Sequence, residues 1–357
     1  YPAGVDQADL NNTVTRTISS KYSDKDGTPW GPVDQKVSYK RDATIDLVKL
    51  NKEDADAVTY TNWEPAEAGK ESFDSMPVTH VEPGYVADYQ IVPSADVTKD
   101  QDGKAQNGQN IVVTYSPVGV IIPVDKDGNE IPGAPTPKYN NDENDPTKVT
   151  TTHVPKIPGY HPEVPSVTPD EPGDNTKVVY TPEKQELQLK VYDQDLDKYL
   201  GGTDSFYGLT DQEVGEDPQT RLDELKKQFA EWGFDIVEVP ELAKNYDNTE
   251  NGTSDQDNKP QVFVLVVKHH IETVTPDDPK TPDDKIPNTN QNYPGGLTET
   301  DLSKTITRTI IVHMPDGSTK EIKQEVVYTR TATVDSVTKE VTYTDWTSKN
   351  SNWSEYQ

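Results

Sequence analysis

The chain has no cysteine, which removes disulfide frameworks, zinc–thiolate sites and thiol nucleophiles at once. It is also poor in apolar residues: they make up 31% of 357 positions, with only five Phe and two Met. At that level disorder is the default expectation unless the apolar residues are patterned. No apolar run approaches the roughly 20 residues of a membrane span, so membrane insertion is not expected. Positive charge is scarce, 34 Lys and Arg against 63 Asp and Glu, for a net charge of −29. Nucleic acid, which requires clustered cations, is therefore disfavoured. Simple electrostatic attachment to anionic membranes or sialylated glycans is disfavoured as well, so an anionic ligand must be held by hydrogen bonds and aromatic contacts. The charge itself serves solubility and self-repulsion along an extended chain. A Gly-rich phosphate loop, a nucleophile elbow and a zinc motif are all missing. Paired carboxylates carry little information in so acidic a chain, and no enzyme is expected.

What the chain does have is a repeat. Tyr1-Pro2-Ala3-Gly4-Val5, Asp9-Leu10 and Thr13-Val14-Thr15-Arg16-Thr17-Ile18 return without a gap as Tyr293-Pro294-Gly295-Gly296-Leu297, Asp301-Leu302 and Thr305-Ile306-Thr307-Arg308-Thr309-Ile310. Further on, Val37-Ser38-Tyr39-Lys40-Arg41 answers Val326-Val327-Tyr328-Thr329-Arg330. Val58-Thr59-Tyr60-Thr61-Asn62-Trp63 answers Val341-Thr342-Tyr343-Thr344-Asp345-Trp346. A match of this length identifies one period of an array and the start of the next.

Period-2 alternation makes residues 13–63 a β-meander: Thr13–Tyr22, Val33–Ile45 and Val58–Trp63, with Asp24-Lys25-Asp26-Gly27 as the first turn. The second copy turns at Met314-Pro315-Asp316-Gly317-Ser318. Arg16 and Arg308, repeated within Thr-rich strands, either bind a ligand carboxylate or pair with a cross-strand acid on the solvent face; the latter is the more economical reading. Residues 76–116 form a second unit echoed at 149–182. Each carries a Pro-Gly-Tyr corner, Pro83-Gly84-Tyr85 and Pro158-Gly159-Tyr160, where the glycine supplies positive φ. Tyr85 and Tyr160 are either core anchors or exposed stacking platforms, with the core favoured. Asp125 to Ile131 resembles a calcium loop, but its glycine comes too early and its carboxylates do not continue; it reads as a hairpin turn.

Residues 185–273 differ in type. Leu187–Val191 is a strand, followed by a long turn over Asp193–Gly202. A helix follows, capped by Asp217, with Pro218 in its first turn, Leu222, Leu225, Phe229 and Trp232 on one face, and Gly233 ending it. Phe234–Val239 is a strand, residues 240–260 are an acidic Asn-rich loop, and Gln261–Lys268 is a continuous apolar strand, central if buried on both faces. Strand–strand–helix–strand–strand around one amphipathic face suggests a β-grasp arrangement. Asp193, Asp195, Asp197 and Asp204 have partial calcium-loop spacing, but Lys198 stands where the loop needs Gly and Asp where it needs the final Glu, which leaves Asp193, Asp195 and Asp197 a weak Ca2+ candidate and otherwise no cofactor. His269 and His270 adjoin on a strand and point to opposite faces, so they cannot chelate one ion alone. Thr275–Asn292, punctuated by four prolines, reads as a semi-rigid spacer.

The Thr-x-Thr-Arg-Thr-Ile strand, the Val-x-Tyr-x-Arg strand, the Val-Thr-Tyr-x-[Asn/Asp]-Trp ending and the Pro-Gly-Tyr unit together resemble the mucus-binding repeat proteins of lactobacilli. That resemblance covers nearly the whole chain, and 117–182 is a departure from the simplest two-module repeat. It implies a mainly β fold with one helix-containing α+β module, built as an elongated tandem of small ubiquitin-like β-grasp domains. The organisation expected is 1–116 as a first mucus-binding module (meander 13–63 plus Pro-Gly-Tyr unit 76–116), 117–184 as a second, 185–274 as a helix-containing module, 275–292 as a Pro/Asp linker, and 293–357 as the start of the next module. It further implies a secreted, non-enzymatic adhesin on a Gram-positive surface, anchored to the cell wall outside these residues and monomeric within a covalent array. The partners implied are host mucin glycoproteins and, for some repeats, immunoglobulins, bound multivalently. Exposed aromatics are the ligand candidates: Tyr85, Tyr160, Trp63 and Trp346. The alternative is a stalk that projects other binding domains and binds nothing itself.

Overall fold

The computed structural model describes residues 2–250, 259–348, 350 and 353–355. Tyr1, at the head of the first repeat copy, and residues 251–258 of the Asn-rich loop lie outside them. The chain is mainly β and divides into two units, 1–157 with 161–181 and 158–160 with 182–357.

The first unit is built on a five-stranded sheet. Asn11–Tyr22 and Val33–Lys40 form the expected antiparallel hairpin. The meander does not continue as expected: the second strand ends at Lys40, and Ala43–Ile45 leaves to pair with Val58–Tyr60 in a separate two-stranded sheet. The cause is local. The Arg41 amide is drawn back to the Leu10 carbonyl, while Asp42 and Thr61 exchange hydrogen bonds of 2.9 Å. Asn11–Tyr22 finds its other partner far along the chain, pairing in parallel with Gln109–Pro117 so that Ile18 faces Ile111 and Tyr22 faces Tyr115. Tyr85–Ala87 and Glu64–Pro65 complete the edges. Two clusters lie under this sheet, one around Val14, Tyr39, Trp63 and Phe73, the other around Ile18, Val92, Val113 and Tyr115. Beyond it, Ile121–Val124 pairs in parallel with Thr176–Pro182. Asp125–Asn129 forms the predicted turn, its carboxylate receiving the Asp127 and Asn129 amides.

In the second unit a four-stranded sheet runs in the order Lys198–Leu209, Lys184–Asp193, Gln261–His269, Phe234–Glu238, with its two central strands parallel. The helix Asp217–Glu231 buries Leu222, Leu225 and Phe229 against Leu187, Leu189, Leu265 and Val267. Apolar spacing along the sequence places those residues on one stripe. Four details differ from the sequence reading. Glu216, not Asp217, occupies the N-cap, without a side-chain hydrogen bond. Trp232 lies past the last turn and is 48% exposed, edge-on to Phe229. The turn after Asp193 is short, because the return strand already starts at Lys198. The strand Gln261–His269 is central but not dry on both faces, since Val262 is exposed.

Within the stretch read as a spacer, Ile286 is fully buried together with Val274, Tyr293, Leu297, Leu302, Ala332 and Val334. Ile271–Val274 pairs with Ala332–Asp335, which also pairs with Val341–Tyr343. Ser303–His313 and Thr319–Thr329 form a long hairpin closed by a turn at Met314–Ser318.

Candidate functional site

The Pro-Gly-Tyr corners behave alike in backbone. Gly84 and Gly159 have φ of 78° and 74°, a region open to glycine at little steric cost. Tyr85 is buried; its ring lies 4.9 Å from that of Tyr22, with Lys25 Nζ 4.5 Å and Lys138 Nζ 5.3 Å from its centroid. The Tyr22 hydroxyl donates to Glu82, which also meets His80 at 2.9 Å. His80 and then Tyr22 hold the Glu82 carboxyl below its usual range, and Glu82 in turn pushes the Tyr22 hydroxyl up. Tyr160 is half-buried and donates to Asp211 at 2.9 Å.

Beside the Gly84 corner opens a cleft of about 950 Å³ lined by Gly84, Lys138, Asn140, Asn141, Asn144 and Thr150 among others. Asn141 fixes its wall, accepting from the Gly84 amide at 2.8 Å and donating to the Tyr85 carbonyl at 2.6 Å. The cleft thus presents amide and hydroxyl groups, which both donate and accept, next to one ammonium and the carboxylates of Asp142 and Glu143.

Trp63 and Trp346 occupy equivalent places in the two copies with different exposure. Arg41 lies over the rings of Tyr60 (3.7 Å) and Trp63 (4.7 Å) and donates to the Asp9 carbonyl at 2.9 Å. Arg330 repeats this with Tyr343 (3.7 Å), Trp346 (4.6 Å) and the Asp301 carbonyl at 2.9 Å. Trp63 is 7% exposed in a cluster with Phe73, Val97 and Ala105, whereas Trp346 is 39% exposed. Arg16 is not on the solvent face: it is 1% exposed, donates to the Pro93 carbonyl at 2.9 Å and sits 6.0 Å from the Phe73 ring. Alternation sends its side chain inward along with Val14 and Ile18.

The carboxylates of the weak calcium candidate do not act as one set. Asp193 is fully buried, receives the Asp195 and Leu196 amides and faces His269 Nε2 at 3.2 Å. Asp195 accepts from the His269 amide at 2.6 Å, and Asp197 accepts from the Tyr192 hydroxyl. Ligand atoms of Asp193, Asp195 and His269 lie within 4.8 Å of one another. Each already has a protein partner, and His269 Nδ1 meets Asp335 at 2.6 Å. An imidazole held between two carboxylates donates from both nitrogens when protonated.

Residues 5–119 and 297–357 match the profile of the Muc B2-like domain. These two stretches are Muc B2-like domains. Through them the chain is similar to the mucus-binding repeats. Among solved structures it is similar to the type 2 repeat of the mucus binding protein MUB from Lactobacillus reuteri, at 23% identity over 45% of this chain and 74% of that one, with a TM-score of 0.27. It is also similar to the MucBP domain of an adhesion protein from Pediococcus pentosaceus (25% identity, 29% and 97% covered, TM-score 0.24). A third is the mucin-binding domain of a Streptococcus pneumoniae protein (23% identity, 30% and 92% covered, TM-score 0.24). No curated protein matches the sequence. Domains of this type are adhesion domains rather than enzymes and are typical of Gram-positive surface proteins. Among the described residues no helix is long and apolar enough to cross a membrane.

The Muc B2-like motifs make the repeated Arg–Tyr–Trp group legible in the sequence. The cleft is not legible in the same way. Its only signal is the run Asn140-Asn141-Asp142-Glu143-Asn144, which reads as turn chemistry. The partnership of His269 with Asp335 carries no sequence signal at all, since 66 residues separate them.

Proposed function

We propose that the chain is part of a multivalent surface adhesin, anchored to the cell wall, that recognises mucin glycans at the cleft beside Gly84. The observation that carries this reading is the cleft itself: about 950 Å³ bounded by Asn140, Asn141, Asn144, Thr150 and Lys138. Side-chain amides and hydroxyls match the mixed donor and acceptor pattern of sugar hydroxyls, and Lys138 offers a cation beside the carboxylates of Asp142 and Glu143, a mixed set suited to sugar hydroxyls more than to a bare anion. Trp346 and Tyr160 are proposed as ligand contacts in their own unit and not as part of the cleft. Tyr85 and Trp63 support walls and core instead.

The module boundaries expected from the sequence accompany this reading, except that 271–292 packs with 293–343 rather than serving as the end of one module and a linker; the helix-containing module is taken as a β-grasp domain on the strength of its parallel central pair and crossing helix. Immunoglobulin recognition belongs to the edge strand Lys198–Leu209, where Tyr207 is 71% exposed and an added strand could pair.

The test is surface-plasmon binding of the chain to immobilised mucin, before and after sialidase, and to immunoglobulin. Lys138→Ala and Asn144→Ala are each expected to weaken mucin binding by about tenfold, the loss of a single charge-assisted or well-placed hydrogen bond. Mucin affinity unchanged by both substitutions would overturn the cleft as the site.

A further inference from the structure

The helix-containing module holds a small pocket that lies outside both stretches matching the Muc B2-like profile. It starts from a break in strand pairing. Leu189 faces Asp204 and Val191 faces Leu200, so Lys190 alone stands opposite Gly201, Gly202 and Thr203. A bulge of this kind bends its strand and re-aims the side chains on it. Here it opens a pocket of about 180 Å³ lined from both the strand Lys198–Leu209 and the helix Asp217–Glu231. Gly202 stands on its wall, and a Cβ added there would meet nothing within 4 Å. Packing therefore does not call for glycine at this position, whereas the close approach of a ligand does.

Trp232, just past the helix, supplies an aromatic wall. Phe229 braces its ring edge-on at 5.2 Å, and the indole stays 48% exposed. Polar groups stand in the same pocket. Arg221 Nε donates to one oxygen of Asp204 at 3.0 Å. Among the described residues, the Gln228 side-chain amide and the Trp232 Nε1–H have no hydrogen-bond partner.

An indole face takes the apolar C–H face of a pyranose ring, while planar carboxylate, guanidinium and amide groups around it take the ring hydroxyls. The volume lies below the roughly 300–1,000 Å³ of pockets for drug-sized ligands, which suits one sugar ring rather than a chain of them. An uncharged ring fits best, because Arg221 is already paired with Asp204 and Glu224 and leaves no free cation for an acidic sugar.

We propose that Gly202, Asp204, Arg221, Gln228 and Trp232 form a sugar-binding site that takes a single neutral pyranose ring stacked on Trp232. This site is independent of the cleft beside Gly84, which belongs to the other unit.

The test is saturation-transfer difference NMR of the full chain with methyl β-galactopyranoside and with N-acetylgalactosamine. Saturable binding of at least one of them is expected. Trp232→Ala should weaken it about tenfold or more, and Trp232→Phe, which keeps a ring, less. Gly202→Val should block the pocket and abolish binding while leaving the unfolding midpoint unchanged. The proposal is overturned if neither sugar binds saturably, or if binding survives both Trp232→Ala and Gly202→Val. Loss on Lys138→Ala, with those two variants binding normally, would place the sugar in the cleft and overturn it too.

Discussion

Arg41 and Arg330 show how one residue type organises a repeat. Each guanidinium is planar, stacks on a Tyr and a Trp, and ties its strand to the carbonyl of a residue before it. The tyrosine is itself fixed, since Tyr60 and Tyr343 donate to the Gly4 and Gly296 carbonyls at 2.6 and 2.9 Å. A lysine keeps the charge but loses the flat, forked surface. Arg41→Lys should therefore destabilise the first Muc B2-like domain by about 1 kcal/mol, measured as a lowered denaturant midpoint. An unchanged midpoint would make the stack incidental. The recurrence of these residues was readable from the repeat, but their contacts were not. Nor was the burial of Arg16, because an arginine among threonines fits a solvent-facing strand equally well until a second strand, 109–117, covers it.

Among the elements, the turn after Ala332–Asp335 is the most informative. Asp335 meets His269, and Ser336, fully buried, donates its hydroxyl towards the Gly233 and His270 carbonyls. Gly233 has φ of 97°, and a Cβ there would come within 2.7 Å of the Ser336 hydroxyl, so both backbone shape and close approach require glycine. Burial opposes charging the His269 ring, yet the hydrogen bond and charge of Asp335, with Asp193 behind, raise its pKa above the ordinary value. Burial likewise pushes Asp335 up, but the Thr338 and Val337 amides and His269 bring it net below its ordinary range. The raised His269 contributes stability that is full below the unfolded value of about 6.5 and is lost as pH rises through the folded value. The lowered Asp335 contributes above about 3.9 and fails as pH falls through its folded value. The network is thus strongest in mild acid. His269→Gln should cost about 3 kcal/mol near pH 5.5 and clearly less near pH 9, read from unfolding midpoints of both proteins across pH. A cost independent of pH would mean that the imidazolium plays no part.

For the whole molecule, net charge governs the long-range encounter with a ligand. At −29, the approach to an acidic glycan is opposed at neutral pH and low salt, and the opposition weakens as carboxylates approach protonation or as salt screens them. Binding to sialylated mucin should strengthen between neutral and mildly acidic pH, and the gain should vanish after sialidase. A flat profile would count against an electrostatic role. The sequence alone determined the repeat, the mainly β character, the amphipathic helix Asp217–Glu231 and the positive-φ corners, because each depends on residues near one another in the chain. Tertiary structure decided which side chains the same motif exposes. Trp63 is buried because Phe73, Val97 and Ala105, which lie outside the motif, cover it, and burial depends on what packs across a strand rather than on the residues along it.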